Sequence, residues 1–153
     1  MNNKKGFTLA ELLIVVAIIA VLTMVAVPIF NTQLEKSKEE TDIANLRSAK
    51  AAAVAAYLAE EAIGTHNFGV NASGTDDNTA YFDASTGVLK DSKAGIAGYG
   101  KGKSTVSGGC EAFEGYTETT EASGKVIKVT VAASTGVATM EWEEVAAPVT
   151  PNP

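Results

Sequence analysis

Residues 12–34 carry no charged side chain, and nothing else in the sequence narrows the possible folds as sharply. As a helix rising ~1.5 Å per residue the run reaches about 35 Å, enough to cross the hydrocarbon of a bilayer. Lys4 and Lys5 stand ahead of it, so the positive-inside rule puts the first residues in the cytoplasm and the rest of the chain outside. The apolar run is longer than a secretory core and has no small-residue cleavage site behind it. One acid, Glu11, sits at its mouth. An unpartnered acid in hydrocarbon costs about 2.5–3.5 kcal/mol on insertion scales, so this carboxylate needs a reason.

Composition removes several classes of function. The first thirty residues being committed to oil, about 120 remain, which is one small domain. A formal charge of −6, with twelve scattered Lys and Arg, argues against a nucleic-acid surface, which needs clustered cations. A single cysteine, Cys110, excludes an internal disulfide and a multi-thiolate zinc site; it reads as a small half-buried hydrophobe. With one histidine, His66, at the expected end of the helix as a surface or capping residue, no nucleophile, base and orienter set is found. No catalytic residue, cofactor or metal is expected, and the chain does not read as an enzyme. Asp76, Asp77, Asn78 and Asp83 form an oxygen-rich cluster that could take calcium, but their spacing fits no EF-hand and reads as a polar turn. Residues 95–103 lack the spacing of a phosphate loop and read as a flexible loop.

Beyond Phe30 the pattern turns amphipathic. Ile43, Leu46, Ala49, Ala53, Val54, Tyr57 and Leu58 recur at three- and four-residue steps, while the charges between Glu35 and Asp42 read as a solvated face. One helix is predicted from about Phe7 to Ala62, ended by Gly64. A loop-rich connection follows, with short strands at Tyr81-Phe82 and Gly87-Val88-Leu89. Residues 125–131 and 137–143 alternate apolar and polar across a Ser134-Thr135-Gly136 turn and form a hairpin, with Phe113 and Tyr116 leading into a third strand. The helical stripe and the apolar sheet face cover each other, giving an α+β head on a long stalk. The expected organisation is a leader (1–6), a membrane half of the helix (7–30), an amphipathic half (31–63), a β head (64–146) and a flexible proline-rich tail (147–153).

Gly6-Phe7-Thr8-Leu9-Ala10-Glu11-Leu12, a short lysine leader, the apolar helix and Pro28 together resemble the class III signal of type IV pilins and pseudopilins. The resemblance covers residues 4–30 in sequence and the head in layout only. It implies cutting after Gly6 and N-methylation of Phe7 by a prepilin peptidase and methyltransferase. Losing Lys4 and Lys5 would take the charge from −6 to −8. The new amine at Phe7 stays protonated, and Glu11 lies four residues on, on the same helix face. In a stack of helices, Glu11 of one copy can pair with the amine of the next and set the axial register.

Pro28 removes one helical hydrogen bond, to the Met24 carbonyl, and is a place for curvature or for local unwinding on assembly. The implied partners are other copies of the chain, an assembly platform and, before assembly, the lipid bilayer; the implied locations are the cytoplasmic membrane and then a surface filament. Two alternatives stay open: a pseudopilin of a secretion or DNA-uptake system, and a membrane-anchored binding protein that never polymerises. Many family members staple a C-terminal loop with a disulfide, which this chain with its lone Cys110 cannot do.

Overall fold

The computed structural model describes residues 6–69, 78–105 and 108–145. Lys4, Lys5, Asp76, Asp77 and the tail 147–153 lie outside the described residues. Helix α1 (Leu9–Leu58) is followed by a ribbon of β1 (Ala62–Ile63) and β2 (His66–Asn67). A four-stranded antiparallel sheet then forms in the order β4-β3-β5-β6, from β3 (Thr79–Asp83), β4 (Val88–Lys90), β5 (Lys125–Val131) and β6 (Ala138–Glu144). This is the α+β arrangement expected from the sequence, a long helical spine against a small antiparallel sheet.

The helix is shorter than predicted at both ends. Thr8 caps its start and Ala59 its end. Glu60 takes the left-handed conformation (φ 50) that closes the last turn, with Glu60 N–H donating to the Tyr57 carbonyl at 3.3 Å and Glu61 N–H to the Ala56 carbonyl at 3.0 Å. Gly64 is therefore not the stop. It lies in the β1–β2 turn, between paired Ile63 and His66, with φ +60 and no room for a Cβ beside Asp91. His66 does not cap the helix either: its Nδ1 lies 2.9 Å from the Thr79 carbonyl and links the ribbon to β3.

The core lies between α1 and the inner face of the sheet. Ile43, Leu46, Ala49, Ala53, Ala56 and Tyr57 pack against Ile127, Val129, Val131, Ala138 and Met140. Burying each large side chain is worth about 1.5–3 kcal/mol. Two members of the predicted stripe fall outside it: Val54 is only partly buried and Leu58 is 76% exposed. The β5–β6 hairpin has the predicted alternation, pairing Val129 with Met140 and Ile127 with Trp142. Its tip is fastened to the helix end by the Tyr57 hydroxyl, which donates to the Ala133 carbonyl at 2.7 Å.

The connection from β4 to β5 departs most from expectation. No third strand forms at Phe113 and Tyr116, which make an isolated bridge. Between them Glu114 (φ 48) and Gly115 (φ 84) turn the chain back, so the segment cannot extend. Nor are residues 95–103 a free loop. Tyr99 and Gly100 N–H donate to the Lys125 carbonyl, each at 3.1 Å, and Ala122 N–H donates to the Gly102 carbonyl at 3.1 Å.

The charge run on α1 is a solvated face only in part: Glu40 is exposed, but three acids are not. Glu35, Glu39 and Asp42 are 3%, 1% and 0% exposed, and they hold the connection to the helix. Asp42 accepts from the amides of Lys101 (3.0 Å) and Gly102 (2.7 Å) and from the Tyr116 hydroxyl (3.2 Å). Glu35 accepts from the Lys103 amide at 2.6 Å, and Glu39 from the amides of Gly108 (2.8 Å) and Cys110 (3.2 Å). A loop crossing a helix brings unpaired N–H groups, and a buried carboxylate offers four lone pairs to satisfy them. Gly108 is required because a Cβ there would collide with the backbone of Lys36.

Candidate assembly site

The N-terminal end of α1 begins with a reciprocal cap. Glu11 N–H donates to Thr8 Oγ1 at 3.3 Å, while Thr8 N–H and the Thr8 hydroxyl donate to Glu11 Oε2 at 2.8 and 2.7 Å. This is a capping box, satisfying two of the amide donors that a helix start leaves orphaned. It also settles where the Glu11 carboxylate sits: over the first turn, next to the Phe7–Thr8 peptide, at the positive end of the helix dipole. Gly6 precedes it, and a Cβ there would meet nothing within 4 Å. The fold of this chain does not itself demand glycine at that position.

Above Glu11 the helix presents bare apolar surface. Its most apolar stretch has a mean hydropathy of 3.1 and is nowhere covered by the rest of the chain. Phe7 is 88% exposed, and large side chains from Leu9 to Leu34 are exposed on every side. Such surface is far beyond what a soluble monomer tolerates, and the length suits a membrane span. The polar groups within it are turned onto the helix itself: the Thr23 hydroxyl reaches the Ile19 and Ala20 carbonyls, each at 3.0 Å, as hydroxyls must in hydrocarbon. Pro28 lies inside the unbroken helix, and the Thr32 hydroxyl donates to the Pro28 carbonyl at 3.2 Å.

The structure brings Phe7 and Glu11 together at one end and sets Pro28 apart, some five turns along the rod. The three buried acids, which the sequence reading missed, form a second polar centre where the spine enters the head. Burial pushes the Asp42 carboxyl above its ordinary range against the pull of the Gly102 and Lys101 amides. Burial likewise raises the Tyr116 hydroxyl, with Asp42 adding to it. Cys110 is half-buried against the core, and burial, reinforced by Glu39, raises its thiol to about 11. It is a packed thiol rather than a nucleophile. Of the oxygen-rich cluster, Asn78 is spent on Gly69 and Asp83 on Lys90 and Ser85. No group of three metal-type ligands occurs among the described residues.

An uncovered apolar spine with one capped acid at its mouth is set against a small antiparallel sheet, and comparison with known proteins bears on the first part of that arrangement. Residues 1–27 match the prokaryotic N-terminal methylation motif. The chain is 41% identical over 58 residues to fimbrial protein Q and to the type IV major alpha-pilin of Moraxella bovis. That alignment covers 38% of this chain and 37% and 36% of those relatives. No solved structure matches. Motif and relatives together support a type IV pilin family for this chain.

Proposed function

We propose that the chain is a structural subunit of a type IV pilus, cut after Gly6, N-methylated at Phe7, and polymerised through α1. The observation that carries this reading is the apolar half of the helix, exposed on all sides yet closed at its mouth by the Thr8–Glu11 box. Before assembly that half sits in the cytoplasmic membrane with the head outside. In the filament the same side chains pack against those of other copies, and Glu11 meets the Phe7 amine of a neighbour. Each subunit then places one cation and one anion at the same depth, so pairing between copies removes two costs at once. The pilin relatives and the methylation motif favour this reading over an anchored binding protein, and the glycine at position 6, which the fold does not require, favours processing there.

Mass spectrometry of the protein's N-terminus tests the processing. The expected species begins at methylated Phe7. An intact leader, or a chain starting beyond Phe30, contradicts the proposal.

A further inference from the structure

Trp142, the one tryptophan of the chain, is half-buried on β6 and lines a cleft of about 490 Å³ with Leu46, Thr120, Glu121 and Glu141. Its indole Nε1 is buried and has no hydrogen-bond partner among the described residues, although a buried indole N–H normally finds an acceptor. Two tyrosine rings meet the indole edge-on, Tyr99 with ring centres 5.9 Å apart and Tyr116 at 6.3 Å. Their hydroxyls face different groups. That of Tyr116, a residue only 2% exposed, donates to the buried Asp42 carboxylate at 3.2 Å. That of Tyr99 donates to the Phe82 carbonyl at 2.8 Å and accepts from the Ile127 amide at 3.0 Å. A carboxylate can take a phenolic proton, and burial makes Asp42 a stronger base than usual; a peptide carbonyl is far too weak a base. Tyr81 also has a carboxylate, Glu143 at 3.3 Å, but makes no ring contact with Trp142 among the described residues. Tyr116 alone combines the ring contact with a proton acceptor.

We propose that Trp142, Tyr116 and Asp42 form a radical relay: a diffusible one-electron radical oxidant, admitted by the cleft, oxidises Trp142, and the oxidising equivalent comes to rest on Tyr116. The electron lost by the indole reduces the oxidant. An indole radical cation in water sheds its N–H proton and loses oxidising power, but here Nε1 has no acceptor, so the cation persists. One electron then passes from Tyr116 to Trp142 as one proton passes from the Tyr116 hydroxyl to the Asp42 carboxylate. The indole is restored, a neutral phenoxyl stands at Tyr116, and Asp42 becomes a carboxylic acid. The summed charge of the three groups does not change in that step, which suits an interior where separating charge is costly. Protonated Asp42 keeps acceptor capacity for the Lys101 and Gly102 amides, so the loop stays fastened to the helix.

Pulse radiolysis of the detergent-solubilised full chain in azide solution tests the relay, because the azide radical is neutral and oxidises indole in preference to phenol. Transient absorption should show the indole radical converting to phenoxyl at a rate independent of protein concentration. Tyr116→Phe should cut the phenoxyl yield at least fivefold, whereas Tyr99→Phe should leave it at the parental value. Asp42→Asn should slow the conversion at least tenfold. Deuterated water should slow it in the parental chain, a measurement that needs no substitution and stands even where Asp42→Asn fails to fold. Parental phenoxyl yield from Tyr116→Phe, loss of phenoxyl in Tyr99→Phe, or a parental rate unchanged by deuterated water overturns the inference.

Discussion

The amide of Gly108 donates to Glu39 Oε1 at 2.8 Å across a separation of 69 residues, and this contact shows how the head is held on its spine. Glu39, with Glu35 and Asp42, turns one face of the helix into a row of acceptors for a loop that has no strand of its own to pair with.

Glu39→Ala should leave the Gly108 and Cys110 amides buried without an acceptor, at ~1–3 kcal/mol each. Chemical unfolding of the detergent-solubilised chain is expected to show a loss of roughly 2–5 kcal/mol, with Glu39→Gln losing less because its carbonyl oxygen still accepts. Equal stability for Glu39→Ala and the parent would contradict the clasp.

Gly108→Ala forces a Cβ into the Lys36 backbone, whereas at Gly109 an added Cβ meets nothing within 4 Å and faces only the strain of φ +74. Overpacking against backbone costs ~1–3 kcal/mol, and the left-handed penalty for alanine is about 1 kcal/mol. Thermal unfolding should therefore rank Gly108→Ala below Gly109→Ala.

Asp42 and Asp83 should bend the pH dependence of stability in opposite directions. The Lys90 ammonium, 2.7 Å away, and the Ser85 hydroxyl hold the Asp83 carboxyl well below the usual carboxylate range. Its contribution is present above the unfolded value and lost as pH falls through the folded one. Burial raises Asp42, so its contribution is full below the unfolded value and lost as pH rises through the folded one. From acid toward neutral pH, Asp83→Asn should fall progressively further behind the parent, while Asp42→Asn should gain on it. Slopes of the same sign would refute the assignment.

Cys110, with its thiol raised to about 11, should alkylate slowly. At pH 8 a thiol near its ordinary value of 8.5 is about one-quarter thiolate, and one near 11 about a thousandth, so iodoacetamide should react on the order of 100-fold faster with the denatured chain.

Much of this architecture is legible in the sequence because it depends on local pattern. The apolar run, Glu11 at its mouth and the alternation through Ile127, Val129 and Val131 each declare themselves within a few residues. The clasp does not, because residue type misleads there: acids at Glu35, Glu39 and Asp42 suggest solvent. Their spacing of four and three, however, continues unbroken into Leu46, Ala49, Ala53 and Ala56, which is the buried stripe. Spacing was the better guide than charge. Their partners in the connection lie 59 to 74 residues away in a glycine-rich segment with no periodicity, so nothing local announces them. The missing third strand has a similar cause, since Glu114 turns at positive φ with its side chain tied to Lys50.

The most direct test of the assembly account is Glu11→Ala in cells that make the fibres, scored by electron microscopy alongside membrane fractionation. Among the described residues the capped acid is the only charged side chain at the mouth of the apolar helix. The account predicts a subunit that is processed, inserted in the membrane at parental level and absent from fibres. Fibres of normal number and length from that variant would contradict it.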